Sequence, residues 1–322
     1  MPAPSPSSGA IVVAVVGPTG VGKTSLAEAI AVSLDGEIVS ADSMQVYRGM
    51  DIGTAKPPPA RRGVPYHCID LVDPGEPYSA ARYQAVARAA IDDIRVRGLT
   101  PVVAGGTGLY VRAALDDMTF PSGELDDAAR RRYEALAEEL GPEGLHEVLE
   151  RRDPASAALI HANNVRRTVR ALEMADEDVT YAEQAAGFSQ RHAVYPTVFI
   201  GLDADREELY RRIDRRVDAM LAAGLLDEVR GLLERGYGDA VTSAQAIGYK
   251  EFVPVVEAGA DLAAAVDEVK RSTRRYAKRQ LTWFRADPRI RWLDVTGSSP
   301  ADTLPDALRL VESFEPIPME GP

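Results

Sequence analysis

"GPTGVGKTSL", residues 17–26, decides the fold of this chain. Gly17, Gly22, Lys23 and Thr24 satisfy G-x-x-x-x-G-K-[ST], the pattern of a loop that wraps backbone amides around phosphate oxygens. Glycines let those amides turn inward, Lys23 adds a point charge, and the amino terminus of a following helix adds its dipole. Pro18, Thr19, Gly20 and Val21 fill the loop between the fixed positions. Such a loop needs a strand before it and a helix after it. "IVVAVV" (11–16) is a short β-branched run of the kind buried on both faces of a parallel sheet. Leu26, Ile30 and Leu34 recur every four residues, as the inward face of a helix does. The motif therefore points to a polyphosphate and is silent about which one.

Outward from this loop the pattern repeats. "GEIVSAD" (36–42) reads as a second strand, 79–97 as a helix ending near Gly98, and "PVVAGG" (101–106) as another buried strand. "YPTVFIGL" (195–202) and "IRWLDV" (290–295) supply two more. Alternating strands and helices predict an α/β fold, a doubly wound parallel sheet of the P-loop NTPase type. Between Phe120 and residue 194 the chain is charged and helical, without a buried strand. We read 120–194 as a helical insertion in a core made of 10–119 and 195–310, whose later part is largely helical. Residues 1–9 read as a disordered leader and 311–322 as a loose tail.

Composition sets broad limits. Hydrophobic residues make up 45% and charged residues 27% of the 322, as in ordinary globular proteins. The net charge of −12 argues against generic nucleic-acid binding, although a local basic surface is enough for that. The single cysteine, Cys68, allows no internal disulfide, and the early apolar run is far too short to span a bilayer. A cytoplasmic monomer with no membrane association is expected. The four histidines are scattered, so no zinc cluster is expected.

Several residues carry candidate chemistry. An ordinary P-loop kinase should offer a carboxylate at the end of a later strand, but "PVVAGG" runs into "GGTGLY" instead. The well-placed acid is Asp42, either a general base beside the phosphate loop or a cap of the turn that follows. Thr107 offers a hydroxyl on a loop that permits close backbone approach. Arg212 and Arg216 lie one helical turn apart, either as a solvated stripe or as a guanidinium reaching a diphosphate. "KRSTRRYAKRQLTWFR" (270–285) has seven basic residues, no acid, and interleaved Tyr276, Trp283 and Phe284. Bases and aromatics together suit an RNA backbone with splayed bases. "NNVRRTVRALE" forms a second basic helix, with Arg166, Arg167 and Arg170.

Taken together, "GPTGVGKTSLA", "SADSMQVYRGMDIGTAKP", "PYHCIDLVDPGEPYSAARYQ", "VVAGGTGLYVRAAL", "NNVRRTVRALE", "SAQAIGYKEF" and "AKRQLTWFR" resemble bacterial tRNA dimethylallyltransferases in order and spacing, over about residues 11–295. The resemblance implies transfer of a dimethylallyl group from its diphosphate to N6 of the adenosine 3′ of the tRNA anticodon, with Mg²⁺. It implies that Thr24 serves the Mg²⁺, that Lys23 and the loop backbone hold the diphosphate, and that Asp42 is the general base. It further implies tRNA contacts from Ser43, Met44, Gln45, Thr107 and Arg130. Arg166, Arg167 and Arg170 would belong to the same set, with Arg166 standing where the family usually has Gln. So would Gln245, Gly248, Tyr249, Lys250, Lys278, Arg279, Trp283 and Arg285. Arg212 is the chosen diphosphate arginine and Arg216 its alternate, while the insertion becomes the lobe that grips the anticodon stem-loop. Two rivals are a prenyltransferase acting on free AMP and a small-molecule kinase.

Overall fold

A computed structural model describes residues 11–120, 128–237 and 243–315. The expected leader, residues 121–127 near the start of the expected insertion, and the end of the tail lie outside those residues. Two compact units emerge: residues 1–115 with 193–322, and residues 116–192.

The first unit is built on six parallel strands: β1 (Val12–Val16), β2 (Gly36–Ser40), β3 (Tyr66–His67), β4 (Thr100–Gly105), β5 (Thr197–Asp203) and β6 (Arg291–Asp294). Their spatial order is β3-β2-β4-β1-β5-β6. β1 is central, paired with β4 on one side (Val13 opposite Val102) and β5 on the other (Val13 opposite Val198). All five residues of β1 are buried, which explains its uniformly apolar sequence; each valine there contributes about 1.5–3 kcal/mol. Chain connections diverge around β1, so its carboxyl end opens the crevice where doubly wound sheets place ligands. β3, two residues long, was not foreseen, since so short a pairing leaves no periodic signal.

Helix α1 (Lys23–Ser33) leaves the phosphate loop and buries Leu26, Ala27, Ile30 and Ala31. α2 (Ala80–Val96) is capped by Ser79, and α3 (Gly108–Leu115) follows β4. The second unit holds α4 (Ala128–Arg152, broken at Gly141), α5 (Pro154–Ala157), α6 (Val165–Asp176) and α7 (Tyr181–Ser189). Tyr133, Leu145, Leu149, Val169 and Leu172 belong to its own core. The chain then returns to β5 and to α8 (Arg206–Ala222), α9 (Leu225–Leu233), α10 (Val253–Ala258), α11 (Leu262–Arg285) and α12 (Leu304–Glu312). Cys68 is buried with φ 61, and burial pushes its thiol up to about 12. No described helix is long and apolar enough to cross a membrane.

Candidate active site

Three segments end at the carboxyl edge of the sheet: the phosphate loop after β1, the Asp42 segment after β2, and Gly106–Thr107 after β4. Register explains their proximity, because β4 lies between β1 and β2 and pairs with both. Backbone bonds from Ala41 N–H to the Ala104 carbonyl and from Thr107 N–H to the Ala41 carbonyl tie the last two together.

Lys23 is half-buried and folds back on its own loop, its Nζ donating to the Pro18 carbonyl at 2.7 Å. Burial, helped by the charge of Arg216 and opposed by Asp42, lowers its pKa to about 7. Burial likewise lowers Arg216, again opposed by Asp42. Two desolvated cations thus face one carboxylate, an arrangement that favours a polyanion. Asp42 Oδ1 accepts the Met44 N–H at 2.9 Å, so the capping role is real. Its other oxygen makes no hydrogen bond within the described residues and remains available to a substrate. Thr107 Oγ1 accepts the Ser43 N–H at 3.0 Å, next to Asp42.

Arg212 has partners of its own. Its guanidinium is captured by Glu208, one turn back on α8, and donates to the Val295 and Ser298 carbonyls at 2.9 and 3.2 Å. Arg216 is the α8 arginine that acts on Lys23, and it also reaches the Thr54 carbonyl at 3.5 Å.

Tyr249 points inward. It is fully buried, and its hydroxyl donates to Glu228 at 2.7 Å, so its side chain cannot meet an RNA from outside. Glu228 also accepts backbone N–H groups from Asp51, Ile52 and Gly53 at 2.8–3.1 Å, and Gly53 lies so close to the Tyr249 ring that a Cβ would clash. Gln45 is buried too; its Oε1 accepts from Ser40 and its Nε2 donates to the Thr54 carbonyl. Gly248 is buried, its N–H donating to Glu251, whereas Gln245 and Lys250 are exposed. Met44 and Ser43 are half-buried.

On α11, Lys278, Arg279, Trp283 and Arg285 are exposed, Trp283 at 46%. Arg279 sits over the Tyr276 ring, and Arg285 pairs with Asp203 at 2.5 Å. This basic face is intact, although Lys270 and Arg274 pair with Asp218 and Asp214 of α8. In the second unit Arg166 and Arg167 are exposed. Arg130 and Arg170 instead share Glu173, which is only 2% exposed, at 2.6 and 3.0 Å. Gln280 went unnoticed in the sequence. It joins the phosphate loop to the β4 loop; the available signal was an amide on the apolar stripe of α11, with Ala277 and Phe284.

A divalent cation fits the donor chemistry. The Thr24 hydroxyl is exposed at the start of α1, and no cluster of three His, Cys, Asp or Glu among the described residues forms a protein-only cage. Mg²⁺ characteristically takes one or two protein oxygens and completes its shell with substrate phosphate and water.

Residues 45–287 match the family described as IPP transferase, and residues 10–62 match the isopentenyl transferase family. The chain is 50% identical over 287 residues to the tRNA dimethylallyltransferase of Geobacillus thermodenitrificans (strain NG80-2), covering 88% of this chain and 90% of that one. It is 51% identical over 288 residues to that of Symbiobacterium thermophilum, covering 88% and 89%. Among solved structures it is similar to the full-length tRNA isopentenylpyrophosphate transferase of Bacillus halodurans, with TM-score 0.70, 43% identity, and coverage of 94% and 95%. It is also similar to a eukaryotic dimethylallyltransferase acting on tRNA, with TM-score 0.78, 32% identity, and coverage of 96% and 81%.

Proposed function

This chain belongs to the IPP transferase family, and on that premise we propose that it is a tRNA dimethylallyltransferase. It transfers the dimethylallyl group from dimethylallyl diphosphate to N6 of the adenosine 3′ of the anticodon. The N6 lone pair forms a bond to C1 of the dimethylallyl group, the C1–oxygen bond breaks, and pyrophosphate leaves with the electron pair. Asp42 takes the proton from N6 through its unengaged oxygen. The exocyclic amine is a weak nucleophile, and an extruded base in a water-poor site is the physical route to presenting it.

The observation that carries this reading is the grouping of Asp42 with Lys23 and Arg216 at the carboxyl edge of the sheet, with no acid at the end of β4. A kinase has no use for a base so placed without that second carboxylate. Lys23, the phosphate-loop amides from Gly20 to Thr24, and Arg216 bind the diphosphate and neutralise the leaving group. Thr24 would hold Mg²⁺, which supplies further charge to the departing pyrophosphate when bound. Arg166 and Arg167 on α6, with Lys278, Arg279 and Trp283 on α11, are the exposed side chains suited to RNA. Acceptor choice is tRNA and not AMP, because free AMP has no use for either basic helix. We read its setting as the cytoplasm and its working form as a monomer, a single unpaired cysteine being ordinary in a reducing compartment.

The test is transfer of radiolabel from dimethylallyl diphosphate, with Mg²⁺, into unmodified tRNA and AMP in parallel. Label in tRNA alone, lost when the adenosine beside the anticodon is replaced, supports the reading. Label in AMP overturns the acceptor, and hydrolysis of ATP with no label in either overturns the reaction.

A further inference from the structure

Gln280 is a polar residue on the buried stripe of α11, 5% exposed among Ala277 and Phe284. Its side chain works at both ends. Oε1 accepts the Thr19 backbone N–H at 2.8 Å, and Nε2 donates to the Gly106 carbonyl at 2.9 Å. Gly106 is a glycine for this reason, since the Gln280 amide occupies the space where a Cβ would stand. One turn earlier lies Tyr276, whose hydroxyl feels the side chains of both Gln280 and Thr107. Thr107 in turn receives the Ser43 N–H, one residue beyond Asp42. A single amide therefore connects the phosphate loop to the loop after β4, whose Thr107 holds the segment that carries the base.

We propose that Gln280 is a positioning residue for the transfer reaction, holding the phosphate loop at Thr19 in register with Gly106 and Thr107. The inference rests on the prenyl-transfer reading above. Its physical basis is the pairing of an acceptor and a donor on one planar group. A carboxylate at this position could accept from Thr19 but not donate to Gly106, and a thioether could do neither. Both partners are main-chain groups of loops, so losing the amide leaves a part-buried N–H and a buried carbonyl to find new partners. A shift of about 1 Å between diphosphate and acceptor is enough to cost roughly 10²-fold in rate. Because α11 also presents Lys278, Arg279 and Trp283 to solvent, one helix bears the RNA-facing side chains and the brace of the phosphate loop.

The experiment uses the full chain with Mg²⁺, comparing wild type, Gln280→Met and Gln280→Glu. KM for each substrate, kcat, tRNA affinity by filter binding and thermal unfolding are measured. For Gln280→Met the expected result is a KM for dimethylallyl diphosphate raised about 10-fold or more, with tRNA affinity within about two-fold of wild type. Gln280→Glu, which keeps the Thr19 bond, should fall between the two. A merely structural residue would lower kcat through the fraction of active enzyme and leave both KM values alone. Unchanged KM for the diphosphate in the variants, or equal losses toward both substrates, overturns the proposal. If Gln280→Met does not fold, Gln280→Glu alone decides by the same split. Absence of transfer by the wild type would overturn the functional reading instead, an outcome separate from the failure of Gln280.

Discussion

The Tyr249 hydroxyl and the Glu228 carboxylate meet at 2.7 Å, and that same carboxylate holds the backbone amides of residues 51–53. α9 thereby anchors the loop whose Thr54 carbonyl receives Arg216 and Gln45. Removing the hydroxyl in Tyr249→Phe should cost about 1.5–3 kcal/mol, the range for a hydrogen bond to a charged group. The melting temperature should fall by several degrees while tRNA affinity stays at the wild-type value. Weaker tRNA binding by a folded Tyr249→Phe would restore this tyrosine as an RNA contact.

The two arginines of α8 should separate cleanly. Arg216→Ala should lower kcat/KM by about 10²-fold, as loss of a charge-assisted contact to the leaving group does. Arg212→Ala should leave kcat/KM close to wild type and lower thermal stability slightly, since it loses Glu208 and two carbonyl contacts. Steady-state kinetics on both variants settles which guanidinium meets the diphosphate.

Asp42→Asn keeps an oxygen for the Met44 N–H but cannot take a proton. Turnover should fall by roughly 10²–10⁴-fold, the range for a lost general base, with tRNA affinity preserved. A parallel loss of tRNA affinity would make Asp42 a structural cap and nothing more.

Lys23 makes diphosphate binding pH-dependent. In the empty site its pKa is lowered to about 7 by burial and by Arg216, so at pH 8 the amine is mostly neutral. A bound diphosphate favours the ammonium, and the complex therefore holds more protons than the free enzyme above pH 7. Binding of dimethylallyl diphosphate at pH 8 should take up close to one proton, and affinity should fall as pH rises from 7 to 9. Calorimetry in buffers of different ionisation enthalpy measures the uptake, and Lys23→Met should abolish it.

Glu37 ties β2 to α2 and β3 through Arg97 at 2.6 Å and His67 at 2.7 Å. The Arg97 hydrogen bond, aided by His67 and opposed by burial, lowers its pKa to about 2. The folded value lies below the unfolded one, so this stabilisation is present above about pH 4.5 and is lost as pH falls toward 2. Glu37→Gln should reduce stability at neutral pH by about 2–3 kcal/mol and flatten acid unfolding over that window. Chemical denaturation at a series of pH values provides the check.

Much of the sheet was readable in advance because strands buried on both faces cannot be anything but continuously apolar. "IVVAVV" and "YPTVFIGL" both became central parallel strands. Tyr249 enters the RNA set only through the family resemblance, and no local pattern announces that its hydroxyl donates to Glu228. Arg212 and Arg216 share a helical face, and periodicity cannot say which end of that face overlooks the loop. Glu208, four residues before Arg212, was a visible clue to capture. Gln280 stayed hidden because an amide on an apolar stripe carries no charge, and its partners are main-chain groups 261 and 174 residues away. Long-range pairing of that kind has no local signature.

The seclusion of Cys68 has a practical consequence. The chain has this one cysteine, and its thiol is buried and pushed up to about 12. Thiol-directed dyes and spin labels need an accessible thiolate, so the native residue leaves almost no background. A cysteine introduced at exposed Arg167 or Arg271 would be labelled alone, with Cys68 left in place. A spectroscopic reporter on each basic helix could then follow RNA arrival on either unit in real time.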